Sequence, residues 1–356
     1  MMNGLTKKPA TERASLAKSW LRAPALSVQG DGYTIQGYDQ AERAYLLVRK
    51  EDGAPGKRYK MFLRADQMAV SFSADGLHWL EPILCPEIRA AGDTRNNAFW
   101  APHLGKYVGF TRLWKVEAGP RNTRIVAHTE SPDFVQWSGS KPVLEPLEPH
   151  LQPHDMVVFP HGGVYLGLVG LFDTKADRQH VELAWSPDTV EWHRIAPGTP
   201  LIANGDEPGD YDWGCAFAAA PIFLQNEIRI YYGGNNGPFF DWRDGFLCLA
   251  RLRPDGFAGY AQLDPAKPAS VTTTPITHGA KSLRVCADVE RGGYVKVTVL
   301  GKRNRRLAES ELLVQDISDT PVVWKNDFTF SRLGKERVRL AFEFTDAVVY
   351  SFSFDH

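Results

Sequence analysis

A phrase of seven residues recurs along this chain and constrains its fold more than any other feature. The pattern S-x-D-x-x-x-W occurs at residues 73–79, 131–137 and 186–192, and a fainter copy, R-P-D-G-F, occupies residues 253–257. The copies are spaced by roughly 55–65 residues. A repeat of that length, ending in a polar turn and a large aromatic residue, is typical of the blades of a β-propeller.

The residue types of the phrase explain what it does. Ser and Asp side chains bond to their own backbone and stabilise a turn between the outer strands of a blade, and the Trp fills the wedge between neighbouring blades. Asp75, Asp133 and Asp188 are therefore predicted to form turns and not to catalyse a reaction.

The charge balance excludes some classes of partner. The 41 Lys and Arg residues nearly cancel the 42 Asp and Glu residues, so the chain as a whole lacks the basic field that nucleic acid or an anionic membrane requires. We therefore predict neither of these partners. The four cysteines lack C-x-x-C spacing, which favours free thiols over a zinc site or a disulfide framework; they are Cys85, Cys215, Cys248 and Cys286.

The first residues of the chain bear on its location. Residues 1–26 are polar and basic and contain no apolar segment as long as a secretion signal needs, and no apolar run of 18 residues occurs anywhere. The sequence as written predicts a cytoplasmic protein, whereas a signal peptide removed beforehand would make it periplasmic or secreted.

Short β-type runs separated by Gly, Pro, Asp and Asn predict an all-β chain. Residues 1–26 are a leader, and residues 27–262 are predicted to form a β-propeller in which four blades are clear; rings of four, five or six blades are all compatible with this length. The Pro-rich stretch 263–268 ends the repeats. Beyond it, residues 269–356 alternate apolar and polar residues, which predicts a β-sandwich.

A second set of regularly placed aspartates precedes the repeated phrase along the chain. Asp31, Asp93, Asp155 and Asp212 each come just before or at the start of the first strand of a blade. The first strands of propeller blades begin at the same end of the central channel, so these carboxylates are expected to meet in one funnel. Carboxylates that repel each other there acquire different pKa values, which suits general acid-base chemistry. Any one of them is equally explained as an ordinary loop residue.

Polar and aromatic residues surround these aspartates in the sequence. Carboxylates mixed with Asn, Arg, His and exposed aromatics are typical of a sugar site, because hydroxyls take polar contacts and the C–H face of the ring stacks on an aromatic side chain. A structural stack at the surface is the alternative for Arg112 and Trp114. The candidate substrate-binding residues are Arg95, Asn97, Arg112, Trp114, His154 and Trp242.

Four motifs resemble the five-bladed β-propeller glycosidases, the invertase-like and arabinanase-like hydrolases of glycoside hydrolase families 32 and 43. They are R-Y-K-M at 58–61, G-K-Y-V-G-F-T-R at 105–112, E-I-R-I-Y-Y-G-G at 227–234 and R-P-D-G-F at 253–257. The resemblance covers about residues 30–262 and implies five blades. The W-x-N-D-P-N-G and R-D-P motifs of the invertase-like branch are absent.

The resemblance also implies a catalytic set of two aspartates and a glutamate, supplied by the first strands of successive blades. By position, the aspartates come from Asp31, Asp93, Asp155 and Asp212, and Glu207 is the candidate general acid. The predicted function is hydrolysis of a glycosidic bond in an oligosaccharide or polysaccharide. No cofactor is expected, although a structural Ca²⁺ is an alternative.

Two other functions remain open. A phosphorylase on the same scaffold would use phosphate in place of water and would need cations such as Arg95, Arg112 and His154 beside the carboxylates. A propeller that binds carbohydrate without turnover is the second. The sequence indicates neither the sugar, the linkage, the stereochemical outcome nor the oligomeric state.

Overall fold

A computed structural model gives the structure of the chain. It describes residues 12–14, 36–38, 44–49, 54–92, 95–115, 122–279 and 282–354, and for the first three of these ranges only the backbone is described. Apart from three short 3-10 helices, every regular element in these ranges is a β-strand. The predicted all-β fold class is therefore confirmed.

The strands follow one another in chain order. They are β1 (Glu12–Ala14), β2 (Gln36–Tyr38), β3 (Ala44–Arg49), β4 (Tyr59–Arg64), β5 (Met68–Ser73), β6 (Ile83–Leu84), β7 (Asn97–Ala101), β8 (Lys106–Lys115), β9 (Thr123–Ser131), β10 (Lys141–Leu144), β11 (Leu151–His161), β12 (Val164–Asp173), β13 (Arg178–Ser186), β14 (His193–Arg194), β15 (Cys215–Ala218), β16 (Ile222–Phe223), β17 (Ile228–Asn235), β18 (Gly245–Leu252), β19 (Ala269–Thr272), β20 (Leu283–Leu300), β21 (Arg306–Glu309), β22 (Ile317–Pro321) and β23 (Arg339–Phe354). The 3-10 helices are Pro55–Lys57, Lys302–Asn304 and Phe330–Leu333.

The chain divides into two compact units, each discontinuous in sequence. The described residues of the blade unit fall within Arg13–Ile222 and Arg229–Ala250, and those of the C-terminal unit are Glu12, Phe223–Ile228 and residues 251–354 apart from 280 and 281. The domain boundaries at 27–262 and 269–356 stay a prediction.

Four consecutive modules make up the blade unit. They are β2–β6, β7–β10, β11–β14 and β15–β18. Within each module, strands that are consecutive in the sequence lie side by side in the sheet, except that β15 pairs with β17 and β16 pairs with the same strand. The first three are antiparallel meanders throughout. Small antiparallel meanders that repeat along the chain have the form of propeller blades.

The repeated phrase forms the same turn in the first three modules. In the second module, Oδ1 of Asp133 accepts hydrogen bonds from the N–H groups of Val135 and Gln136 (both 2.8 Å), and Oγ of Ser131 accepts from the N–H of Phe134 (2.8 Å). The first and third modules repeat these bonds around Asp75 and Asp188. These aspartates therefore stabilise turns, as their spacing predicts.

The tryptophan of the phrase packs against the preceding module. The ring of Trp137 lies 4.8 Å from that of Phe62 on β4, and the ring of Trp192 lies 5.7 Å from that of Phe110 on β8. Glycines on β8 and β12 make room, because a Cβ at Gly109 would lie 3.0 Å from the Trp137 ring and one at Gly167 would lie 3.0 Å from the Trp192 ring. The wedge role of the tryptophan is thus visible in two modules.

His128 on β9 joins the second module to the third at the same wedge. It is 5% exposed, its Nε2 lies 3.2 Å from Oγ1 of Thr189, and its ring packs edge-on against Phe110 at 5.5 Å. Burial lowers the pKa of His128 to about 4, since the charged ring would lose its hydration. His128 is therefore a neutral group of the core at neutral pH.

This burial predicts an acid-sensitive fold. The folded pKa of His128 lies below the unfolded value of 6.5, so between these pH values the unfolded chain binds one proton more, and stability falls as the pH falls. From pH 6.5 to 5.0 the loss is about 1.6 kcal/mol for this group, because the slope reaches its full 1.36 kcal/mol per pH unit only below pH 6.5. His128→Gln, which cannot titrate, is expected to remove that share of the pH dependence in urea unfolding. If the free energy of unfolding falls with pH equally steeply in His128→Gln and in the wild type, the assignment is contradicted.

The C-terminal unit contains a five-stranded sheet with the order β19-β23-β20-β21, in which β22 also pairs with β20. β20 and β23 pair over almost their whole length, with an irregularity between Val289 and Tyr294. One core cluster contains buried residues from both halves of β20, among them Val285 and Val297, so the sheet curls around a shared core. β20 and β23 run through both halves of this curled sheet, and the predicted β-sandwich stays a prediction.

Candidate functional site

The first strands of three modules meet in the blade unit. The N–H of Val158 on β11 donates to Oδ1 of Asn97 on β7 at 3.1 Å. Arg95, just before β7, donates from Nη1 to the carbonyl oxygen of Ala218 on β15 at 3.0 Å. Hydrogen bonds therefore link the start of β7 to the middle of β11 and to the end of the short strand β15.

Asp155 on β11 is bound through both carboxylate oxygens. Nη2 of Arg95 donates to its Oδ1 (2.9 Å) and Nε of Arg95 to its Oδ2 (3.0 Å), which is the bidentate geometry that a guanidinium favours. Nδ1 of His154 lies 2.9 Å from the same Oδ2. Because a carboxylate can only accept, the neutral ring must carry its proton on Nδ1.

The three side chains differ in charge. Burial alone would raise the pKa of Asp155, but the Arg95 charge and the hydrogen bond from His154 outweigh it and hold the pKa well below its usual range. Burial and the nearby Arg112 charge lower the pKa of His154, against the opposing effect of Asp155. At neutral pH the cluster thus consists of an ionised carboxylate, a guanidinium and a neutral imidazole.

The backbone of Arg95 is itself unusual. Its φ of 33° lies in the left-handed region, which non-glycine residues adopt rarely and at a cost of about 1–2 kcal/mol. The bidentate pair with Asp155 and the bond to Ala218 hold the residue in this conformation. Backbone outliers of this kind are concentrated at functional sites.

Arg112 on β8 supports the cluster from the side. Its Nε donates to the carbonyl oxygen of His154 at 3.1 Å, its Nη2 donates to the same oxygen, and it is only 4% exposed. Its guanidinium carbon lies 5.6 Å from the ring centre of Trp114, which also stacks with Arg124 at 4.8 Å. Arg112 therefore holds the backbone of His154, Trp114 stacks on Arg112, and the predicted substrate-binding role of both residues stays a prediction.

The open space beside the cluster is small. A cavity of about 10 Å³ touches Arg95, Thr111, Arg112, His154 and Asp155. Such a volume holds about one water molecule. The Asp155 side chain is only 1% exposed, so a ligand larger than water can reach it only if the groups that cover the cluster move.

Phe239 forms part of that cover. Its ring lies 5.1 Å from His154 and 4.5 Å from Phe172. Phe217, which stacks on Arg95 at 5.1 Å, completes the aromatic wall. Sequence analysis missed both Phe217 and Phe239, although the Phe-Phe pair at 239–240 beside a Gly-Pro turn was an available signal.

Phe239 belongs to an aromatic loop, defined as residues 236–244. The side chains of Asn236 and Asp244 close its base, since the N–H of Asp244 donates to Oδ1 of Asn236 at 2.9 Å and Nδ2 of Asn236 donates to Oδ2 of Asp244 at 3.2 Å. Two further aromatic side chains of the loop point to solvent: Phe240 is 72% exposed and Trp242 is 89% exposed. Trp242, a candidate from the sequence, therefore stands outside the buried cluster.

Asp212 lies just before β15 and is 1% exposed. Its Oδ2 accepts a hydrogen bond from the Tyr232 hydroxyl at 2.8 Å. Burial and the Asp212 carboxylate together raise the pKa of Tyr232, which therefore stays a proton donor. Tyr232 was not recognised from the sequence, where it is one of two adjacent tyrosines on β17.

Glu207 occupies an exposed turn. Its N–H donates to Oδ2 of Asp210 (3.1 Å), and the N–H of Asp210 donates to the carbonyl oxygen of Glu207 (3.0 Å). Within the described part of the chain, no hydrogen bond or ion pair joins its side chain to Asp155, and its role as the acid stays a prediction. Asp31 and Asp93 lie outside the described residues.

Over the described ranges, no group of three or more His, Cys, Asp or Glu side chains is arranged to hold a metal ion, and the alternative of a structural Ca²⁺ stays a prediction. In the same ranges no helix has the length and apolar character needed to span a membrane.

No protein-family model and no curated protein sequence matches the chain. Similar solved structures include a glycoside hydrolase (17% identity, 61% of this chain, 64% of that chain, TM-score 0.40). Others are sucrose-6-phosphate hydrolase from Lactobacillus gasseri (11%, 84% and 90%, 0.38) and a family 43 arabinoxylan arabinofuranohydrolase from Bacillus subtilis (11%, 91% and 92%, 0.38). All three are glycoside hydrolases. Their TM-scores lie below 0.5, so neither a common fold nor a common activity follows from them.

Proposed function

We propose that the chain is a glycoside hydrolase in which Asp155 is the fixed negative charge of the active site. One observation carries this proposal: a buried, ionised carboxylate lies where the first strands of separate modules meet, clamped by Arg95 and His154. Such a charge suits a transition state with oxocarbenium character, which develops positive charge on the sugar ring.

The charge state of Asp155 restricts its role. With a pKa held well below the usual range, it cannot donate a proton at neutral pH, so it orients the sugar and stabilises positive charge. The general acid must then be another carboxyl group. Glu207, whose side chain is exposed, remains our candidate for that acid.

Access to Asp155 requires the aromatic loop to move. Phe239 covers His154, and the cavity beside Asp155 holds about one water molecule. If the loop swings outward on its base, Phe240 and Trp242 would move with it and offer their rings to the C–H face of a sugar. Closure of such a loop would exclude bulk water from the cleavage step.

A panel assay tests the proposal. The purified chain is incubated with 4-nitrophenyl furanosides and pyranosides and with oligosaccharides of both classes, and released sugar is measured by chromatography. We expect turnover on at least one member of the panel. Absence of turnover on every furanoside and pyranoside, with a folded protein, would refute the hydrolase.

Trp242→Ala is expected to raise KM by about tenfold with little change in kcat, since an exposed ring that stacks on sugar contributes about 1–1.5 kcal/mol of binding. The measurement is steady-state kinetics on the best substrate of the panel. Phe223→Ala, which removes an aromatic residue 45% exposed on β16 and outside the aromatic loop, is the matched control and should keep the wild-type KM. An unchanged KM for Trp242→Ala would remove the loop from the binding site.

Carbohydrate binding without turnover is the second candidate, and the burial of Asp155 favours it, since both carboxylate oxygens are already bonded to protein groups. Calorimetric binding of a glycan that is never cleaved would support this candidate over hydrolysis.

The phosphorylase is less favoured. The guanidinium groups of Arg95 and Arg112 donate hydrogen bonds to protein oxygens, and His154 is neutral. These three side chains therefore do not form a preorganised phosphate site.

A further inference from the structure

A basic groove lies in the C-terminal unit, although the chain as a whole is nearly neutral. The groove has a volume of about 660 Å³. Its lining comes mainly from the turn that follows β20 and from the segment that leads into β23. Five of its lining residues are cationic and one is acidic, Glu336. The cations are Lys302, Arg303, Lys335, Arg337 and Arg339.

Most of these cations are not neutralised by the protein. Lys302, Arg303 and Lys335 are exposed, and within the described part of the chain none of the three has an ion-pair or side-chain hydrogen-bond partner. Arg337 donates only to the carbonyl oxygen of Pro275, which leaves its charge uncompensated. An uncompensated cluster of like charge raises the local concentration of anions by its field.

Backbone hydrogen bonds close the turn that carries two of these cations, Lys302 and Arg303. Arg303 and Asn304 have φ values of 55° and 59°, and backbone bonds from Asn304 N to Gly301 O (3.1 Å) and from Gly301 N to Arg305 O (2.8 Å) close the turn. β23 begins at Arg339, and Arg337 lies two residues before it, with Val338 between them bridged to Ile276, so in this extended segment both arginine side chains leave the same face. The cations are thus held on regular structure around one concavity.

We propose that this groove binds an acidic polysaccharide, a sugar chain that carries carboxylate or sulfate groups. The groove is larger than one small anion, and its charges are distributed along it, which fits a ligand with several anionic groups. Arginine forks match the planar geometry of carboxylates and sulfates, and clusters rich in Lys and Arg are recognised as sites for heparin-like chains.

The lining favours a glycan over other polyanions. Its apolar members are Pro275 and Leu300, and it contains no aromatic ring, so it lacks the stacking platform on which single-stranded nucleic acids are bound. The site is also concave and has no exposed aromatic side chain to enter a bilayer surface. This proposal does not depend on glycoside cleavage, because it concerns binding alone.

The test measures the affinity of the full-length chain for polygalacturonate and for chondroitin sulfate by calorimetry, at 50 and 200 mM NaCl. Dextran, a neutral polysaccharide, and a 24-base-pair DNA duplex are compared under the same conditions. We expect micromolar-range binding to at least one acidic glycan, weakened about tenfold or more by the higher salt, and none to dextran.

Charge reversal locates the site. Arg303→Glu and, separately, Lys335→Glu are expected to weaken acidic-glycan binding about tenfold each; both positions are exposed, so the fold should not change. The matched control is Arg291→Glu, an exposed cation at the irregularity of β20, roughly 20 Å or more along the strand from Leu300. It should bind as the wild type does.

Four results would overturn the proposal. They are no binding to either acidic glycan, unchanged affinity in both groove variants, an equal loss in Arg291→Glu, and tighter binding of the DNA duplex than of both glycans at the same salt. Loss of turnover on the sugar panel would leave this proposal untouched, and loss of groove binding would leave the hydrolase untouched.

Discussion

Asp155→Asn is expected to lower kcat for glycoside cleavage by roughly 10²–10³-fold, the usual cost of removing one preorganised electrostatic group from an active site. The asparagine has nearly the same shape, but it removes the negative charge that faces the developing cation. KM should change less than kcat, because the charge is needed mainly in the transition state. The measurement is steady-state kinetics on the best substrate of the panel, with folding checked by circular dichroism.

Two further variants make the Asp155 result interpretable. Asp188→Asn changes the same residue type in an exposed turn on the outside of the same module, and it should keep activity within about twofold. The double variant Arg95→Gln/Asp155→Asn removes both charges of the pair, so it should fold even if the single variant does not, and it should be equally inactive. Wild-type turnover in the double variant would exclude Asp155 from the mechanism.

Arg95→Gln is expected to destabilise the blade unit by about 3–5 kcal/mol, because it leaves the buried Asp155 charge without its partner. The carbonyl oxygen of Ala218 also loses a donor. The double variant Arg95→Gln/Asp155→Asn should recover at least half of this loss, since removing both members of a buried pair is often close to neutral. Urea unfolding at pH 7 measures all three proteins.

An exposed ion pair provides the control for Arg95. Lys115 and Glu145 lie 2.7 Å apart with side chains 50% and 51% exposed, and Lys115→Gln should cost less than about 1 kcal/mol. A similar small loss for Arg95→Gln would mean that the pair with Asp155 is hydrated and contributes little to the fold.

The module repeat could be predicted from the sequence because it depends on local bonds. Ser131 and Asp133 make their turn with backbone groups no more than three residues away, so the phrase itself contains the interaction. The tryptophan adds one long-range contact with a fixed direction, as in Trp137 against Phe62. Local propensity and tertiary packing therefore agree at these positions, which is why one sequence was enough to predict the modules.

The site could be predicted only in part. Periodicity pointed to Asp155, and proximity in the sequence pointed to Arg95 and His154. The sequence did not show that Arg95 pairs with Asp155, 60 residues away, or that this pair keeps the Asp155 carboxylate ionised. The cover of Phe239 depends on how the loop after β17 folds back onto β11 and β12, and no repeat encodes that path. The exposed position of Glu207 likewise follows from the Asp210 turn.

Trp137 and Trp192 each reach backward, to a module that precedes their own in the chain. During synthesis on the ribosome, the surface that receives each indole has therefore emerged before the indole itself. The modules can join one at a time in the order of translation, with no need to wait for the C-terminus, which shortens the period in which unpaired strand edges face the crowded cell.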